Sequence, residues 1–309
     1  MSGERVIASQ QTLAKPASCE GVGLHSGQSV VMTMRPAAAD TGIVFRRLDA
    51  GAEICAIWSN TVDSALRSVL SNREGVCVNT IEHLMAALAG AGIDNAVIEL
   101  DGPEVPILDG SAAPFLTLIE RAGTRAQDAD RRAIKVLKPV RVSADGASAA
   151  LIPDHGVSLS FEIDFDTPVI RRQDLLVNFD ADSFRTELSR ARSFCLYDEI
   201  QRMQAAGLAR GGSLDNAVVI DGDRVMNAGG MRYADEPVRH KLLDAVGDLY
   251  LAGGPLIGHF HGSRSGHALT RRLLVELFSD PLAWCETTVA APRSFAPPAW
   301  QDPLHFAAG

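Results

Sequence analysis

His240 and Asp244 stand four residues apart in the run Val238-Arg239-His240-Lys241-Leu242-Leu243-Asp244-Ala245-Val246-Gly247-Asp248. On an α-helix this spacing brings both side chains to one face, with Asp248 one turn further along. An imidazole nitrogen and a carboxylate oxygen placed in this way can converge on one divalent ion, which points to a metal-dependent hydrolase and leaves Asp248 to orient a neighbour. The rest of the predicted helix, Leu242, Leu243, Val246, Leu249 and Tyr250, is apolar and belongs in a core. His240, Lys241, Asp244 and Asp248 would also serve as the solvated face of an ordinary amphipathic helix. A metal site needs a third ligand from elsewhere in the chain.

A chain of 309 residues, 46% hydrophobic and 22% charged, is long enough for two domains, each with its own core, and is neither disordered nor fibrous in composition. A formal charge of −9 and a pI near 5.4 disfavour a polyanion-binding surface, which relies on clustered Lys and Arg, so no nucleic-acid partner is expected. Basic pairs such as Arg171-Arg172 and Arg271-Arg272 can still hold a single phosphate group. Cys19, Cys55, Cys77, Cys195 and Cys285 are scattered and odd in number, which argues against both a disulfide framework and a thiolate zinc site and suits a reducing compartment. Residues 1–11 contain no apolar run of signal-peptide length, and no stretch is apolar enough to span a membrane. A cytoplasmic protein is expected, with peripheral membrane contact left open.

The elements that must position these residues follow from periodicity and turn chemistry. Residues 29–36 and 41–47 read as strands. Residues 80–89 read as a helix with Thr80 as its cap and Gly90 and Gly92 at its end, followed by a strand at 93–100 and a helix at 112–121 with Pro114 in its first turn. The second half repeats the order: a helix at 238–251, an apolar strand at 255–260, a Gly/Ser loop and a helix at 267–278. This repetition predicts an internal duplication: two similar α+β domains, 1–127 and 128–289, each a sheet packed on helices, with the charged stretch 127–132 between them. Residues 290–309, rich in Pro and Ala, read as a poorly ordered tail. The first helix of each half carries a histidine, so His83 can meet His240 and Asp244 at a domain interface, a common place for a ligand pocket.

Six motifs carry a resemblance. Thr80-Ile81-Glu82-His83-Leu84, Gly92-Ile93-Asp94-Asn95, Glu104-Val105-Pro106-Ile107-Leu108-Asp109-Gly110-Ser111-Ala112, Arg192-Ser193-Phe194, Arg239-His240-Lys241-Leu242-Leu243-Asp244 and Ser265-Gly266-His267-Ala268-Leu269 resemble the UDP-3-O-acyl-N-acetylglucosamine deacetylases of lipid A synthesis. Gly21-Val22-Gly23-Leu24-His25-Ser26-Gly27 is similar to the family's opening motif. The likeness runs in the same order from about residue 11 to residue 278.

The resemblance implies that His83, His240 and Asp244 hold one zinc ion (Zn2+), with iron (Fe2+) as a possible substitute, and that a fourth position stays open for water. Three nitrogen and oxygen ligands with an open position make a catalytic rather than a structural site. Glu82, about a third of a turn from His83, takes the role of general base; without the resemblance it reads as an ordinary first-turn glutamate. His267 stabilises the oxyanion or protonates the leaving amine, with the choice between it and Glu82 as proton donor left open, and Asp248 keeps His267 protonated and oriented. Ser193 replaces a threonine of the family's motif and keeps the hydroxyl that donates to the carbonyl oxygen, without the methyl group that restricts its rotamer. Lys241 is expected to reach a diphosphate.

For substrate, the resemblance implies an apolar acyl passage with Leu66 and Phe194 near its mouth, Arg264 at a phosphate and Phe165 stacked on uracil. The implied reaction is hydrolysis of the N-acetyl group of UDP-3-O-acyl-N-acetylglucosamine by a cytoplasmic monomer. The rival readings are a zinc amidohydrolase acting on another acylated amino sugar and a non-catalytic, zinc-stabilised nucleotide- or lipid-binding protein.

Overall fold

Val30, Met32 and Met34 turn inward along Ser29–Pro36 while their neighbours face water, the alternation of a strand with one face on a core. The computed structural model describes residues 7–64 and 66–291. Six α-helices lie among the described residues: α1 (Glu82–Gly90), α2 (Ala113–Ala122), the single turn α3 (Ala181–Ser183), α4 (Tyr197–Ala205), α5 (Glu236–Tyr250) and α6 (His267–Ser279).

In the first half, β1 (Ala17–Val22), β2 (Ser29–Pro36), β3 (Ile43–Arg47), β4 (Ala52–Cys55) and β5 (Ala96–Leu100) form a sheet in the order β1-β2-β5-β3-β4. The central strand β5 runs antiparallel to β2 and parallel to β3, with α1 before it and α2 after it. In the second half, β6 (Val140–Ala144), β7 (Ala147–Ile152), β8 (Val157–Phe165), β9 (Arg171–Asn178) and β10 (Leu256–Ser263) take the order β6-β7-β10-β8-β9. Here β10 runs antiparallel to β7 and parallel to β8, with α5 before it and α6 after it. Strand order and directions therefore agree between the two sheets. Strands Arg132–Val136 and Trp284–Thr288 widen the second sheet to seven.

One contiguous apolar cluster runs from Leu13 to Ala283 and draws on both halves. At its centre α5 packs against both α1 and α6. α1 is buried on nearly every side, as its composition (Leu84, Met85, Ala86, Ala87, Leu88) requires. Its crossing with α5 is close because residue 247 is glycine: a Cβ there would stand 2.0 Å from the carbonyl oxygen of Glu82. No helix among the described residues is long and apolar enough to cross a membrane.

Several sequence expectations change. Thr80 does not cap α1; it adopts φ 58° and its hydroxyl donates to Glu104 Oε1 at 2.7 Å, because a buried carboxylate there needs donors more than the helix end does. The strand expected from residue 93 begins at Ala96. The charged stretch 127–132 lies largely in strands: Thr124–Asp130 pairs with Ser9–Leu13, and Arg131 Nε donates to Asp94 Oδ1 at 2.8 Å. α4, and the small sheet of Phe194–Leu196, Val218–Asp221 and Arg224–Val225, were not expected. The tail assigned to 290–309 falls almost wholly outside the described residues.

Candidate active site

α1 and α5 bring three side chains to one point. His83 Nε2 and His240 Nε2 stand 3.6 and 3.4 Å from Asp244 Oδ1. One ligand atom from each residue lies within 4.8 Å of the other two, and all three residues are buried. Asp244 Oδ1 is inaccessible to water and has no hydrogen-bond partner. A carboxylate oxygen so placed is costly unless something positive meets it.

The electrostatics suit a cation. His240 Nδ1 donates to the carbonyl of Ala191 at 3.1 Å, which leaves the Nε2 lone pair facing the cluster. Burial, with His83 and Lys241 adding to it, pushes the His240 pKa down to about 4 against the pull of Asp244, so the ring is neutral at pH 7. Burial alone would raise Asp244, but His240, Lys241 and His83 hold its carboxyl well below the usual range. Two imidazole nitrogens and a carboxylate are a fitting donor set for a borderline divalent ion.

The Lys241 ammonium lies 3.2 Å from Asp244 Oδ2, on the carboxylate's second oxygen. The i,i+3 spacing on α5 brings the two together.

A second group adjoins the first. His267 is the first residue of α6, and its Nδ1 donates to Asp248 Oδ2 at 2.9 Å. Its Nε2 faces Glu82 Oε1 at 4.0 Å and Asp244 Oδ2 at 3.8 Å. Burial and a helix N-terminus both disfavour a cation here, but Asp248, Glu82 and Asp244 overcome that and hold the His267 pKa up at about 9. Burial also raises Glu82, opposed by His267 and His83. Glu82 Oε2 accepts the backbone N–H of Ser68 at 3.1 Å. Two titratable groups are thereby shifted in directions that suit a base and an acid.

Ser193 Oγ lies 3.5 Å from His83 Nε2, on the cleft side of the cluster. Its segment is held from behind by Arg192, whose guanidinium and backbone N–H both donate to the buried Glu236. Glu82, His83, Ser193, His240, Asp244 and His267 open into a cleft of about 860 Å³. Leu66, Phe165, Phe194 and Arg264 are among its lining residues. Phe165 meets Phe194 edge-on at 5.5 Å, and Phe194 meets His240 edge-on at 6.3 Å. Arg264 donates to the carbonyl of Gly146 at 3.2 Å.

Sequence reasoning missed the contribution of α4 and of the loops beside the small sheet: Ile200 and Met203 of α4, with Leu214 and Met226 from those loops, make the apolar wall. It also left His25 as a motif residue without a role, although the buried ring lines the cleft. Ser68, a lone serine 180 residues from Asp248, carried no signal that could have found it.

A family model described as UDP-3-O-acyl N-acetylglycosamine deacetylase matches residues 10–279. The chain is similar to three proteins named UDP-3-O-acyl-N-acetylglucosamine deacetylase. It is 45% identical over 297 residues to the one from Vibrio parahaemolyticus, covering 94% of this chain and 97% of the relative. It is 47% identical over 297 residues to the one from Saccharophagus degradans, covering 94% and 98%. It is 48% identical over 299 residues to the one from Nitrosococcus oceani, covering 96% and 98%.

Proposed function

The chain belongs to the UDP-3-O-acyl N-acetylglycosamine deacetylase family, and on that premise we propose that it hydrolyses the N-acetyl group of UDP-3-O-acyl-N-acetylglucosamine in lipid A biosynthesis, releasing acetate. The observation that carries this reading is the partnerless Asp244 Oδ1 facing two imidazole nitrogens beside the Glu82 and His267 pair. His83, His240 and Asp244 would hold Zn2+, with Fe2+ as a substitute. When bound, the ion supplies Lewis-acid activation of water and of the amide carbonyl.

The protein's own residues supply the remaining chemistry. Glu82 Oε1, left open to the cleft, takes a proton from the attacking water. The Ser193 hydroxyl donates to the carbonyl oxygen as negative charge builds there. His267, charged at neutral pH, offsets that charge and delivers a proton to the nitrogen as the C–N bond breaks, while Asp248 holds the ring by its other N–H. Lys241 keeps Asp244 ionised from its second oxygen.

Three grips serve the substrate. The acyl chain follows the apolar wall from Phe194 and Leu66 toward Ile200, Met203 and Leu214, uracil stacks on Phe165, and Arg264 meets phosphate. The chain works as a cytoplasmic monomer built by internal duplication, with domains 1–127 and 128–289 and the site between them. The matching strand order of the two sheets, and ligands drawn from the helix that precedes the central strand in each, support this architecture.

The test is acetate release from UDP-3-O-acyl-N-acetylglucosamine by the purified protein, after chelation, and after restoring substoichiometric zinc. Activity lost and then recovered supports the reading. No acetate from folded, zinc-loaded protein would sink it, and equal turnover of a nucleotide-free acylated amino sugar would move the assignment to that substrate.

A further inference from the structure

A carboxylate offers two equivalent oxygens, and a catalytic site works only when the correct one faces the reacting group. Of the three carboxylates that adjoin His267, two, Glu82 and Asp248, have one oxygen occupied by a single residue. Ser68, itself 9% exposed, donates its backbone N–H to Glu82 Oε2 at 3.1 Å and its hydroxyl to Asp248 Oδ1. The free oxygens, Glu82 Oε1 and Asp248 Oδ2, are the two that face the nitrogens of His267, at 4.0 and 2.9 Å.

We propose that Ser68 is a positioning residue that assigns each of these carboxylates its oxygens and so aligns the proton-transfer pair; the inference rests on the deacetylase reading of the site. The hydroxyl proton goes to Asp248, since His267 Nδ1 carries its own proton to Oδ2, and Ser68 Oγ sits 3.4 Å from that nitrogen. The serine is itself anchored. Its carbonyl accepts the N–H groups of Thr80 and Ile81, at 3.0 and 3.5 Å, which ties it to the residues that lead into α1. One residue therefore links the first turn of α1 to the α5–α6 pair. The backbone half of this arrangement holds Glu82, and the hydroxyl half holds Asp248, so the two are separable by mutation.

Ser68→Ala keeps every backbone contact and removes only the hydroxyl. The expected result is a kcat lowered by about 10- to 100-fold, the range for losing a partner that orients a catalytic group, with KM and bound zinc unchanged. Ser68→Thr, which keeps the hydroxyl, restores the rate. An arm independent of turnover uses protein labelled with 15N-histidine, in which the hydrogen-bonded His267 Nδ1–H resonance is assigned by its loss in His267→Ala. That resonance moves in Ser68→Ala and stays in Ser68→Thr. Wild-type kcat together with an unmoved resonance in Ser68→Ala would overturn the proposal, as would a rate loss that Thr does not restore. If wild-type protein releases no acetate, the deacetylase reading fails by itself, and the resonance still decides whether Ser68 orients Asp248 and His267.

Discussion

Asp248 Oδ2 accepts the Nδ1 proton of His267 at 2.9 Å and joins the last turns of α5 to the first residue of α6. The pair puts an imidazolium at a helix N-terminus, where the macrodipole alone would repel it. One helical turn earlier, Asp244 faces the two other histidines. The two aspartates of one stripe thus have separate duties.

Replacing them separates those duties. Asp244→Ala removes a ligand and lowers zinc content in dialysed protein. Asp248→Ala leaves zinc bound and lowers kcat by about 10- to 100-fold. Metal analysis alongside steady-state kinetics checks both, and the reverse pattern would mean that the stripe is assigned in the wrong order.

The pH dependence of turnover follows from the signs of two shifts. Glu82 acts as a base only when ionised, and burial raises its pKa, so the rate climbs with pH through a value above the ordinary carboxylate range. His267 acts only while charged, and the neighbouring carboxylates outweigh burial to hold it at about 9, so the rate falls as pH rises through about 9. Asp248→Asn removes the leading raising contribution and moves the alkaline limb to lower pH. A profile flat from mildly acidic to pH 10 would exclude this acid and base pair.

Gly247→Ala tests the crossing that makes the metal cluster. A Cβ at 2.0 Å from the Glu82 carbonyl forces α1 away from α5, an overpacking cost of about 1–3 kcal/mol. His83 moves with α1 while His240 and Asp244 stay on α5, so zinc affinity falls along with the melting temperature. Calorimetry and metal titration of the variant measure the two effects.

Glu236→Ala tests the support behind Ser193. The Glu236 carboxylate accepts from Arg192 Nε at 2.9 Å and from the backbone N–H groups of Arg192 and Arg232 at 3.0 and 2.6 Å. Its loss strands a buried guanidinium, so denaturant unfolding should show about 3–5 kcal/mol less stability. Burial alone would raise the Glu236 pKa, but the guanidinium and the N–H donors lower it on balance. The pair's stabilisation is therefore complete above the unfolded carboxylate value and lost as pH falls through the lower folded one. Wild-type protein should lose this increment in acid, and Glu236→Ala should lack that part of the pH dependence.

Much of the fold was legible where periodicity is strong. Ser29–Pro36 emerged with its predicted bounds, and α2, α5 and α6 within about two residues of theirs, since apolar spacing, Pro114 and the glycines after α5 are local signals. α4 was not legible, because Tyr197–Ala205 is short and buries no residue: its apolar Ile200 and Met203 face the cleft rather than a core. Thr80 was misread as a cap because its partner, Glu104, lies 24 residues away.

By itself the sequence determined the ligand types, the i,i+4 spacing that aligns His240 with Asp244 and Asp248, and, through its motifs, the family. These are properties of residue identity and helical geometry, which need no partner. Only the tertiary structure decided that His83 crosses onto that stripe through the gap at Gly247, that Lys241 settles on Asp244, and that Ser68 sits between Glu82 and Asp248. Each depends on which distant backbones approach within a few ångströms. That outcome is set by the packing of both sheets and their helices around one shared core, which no local pattern encodes.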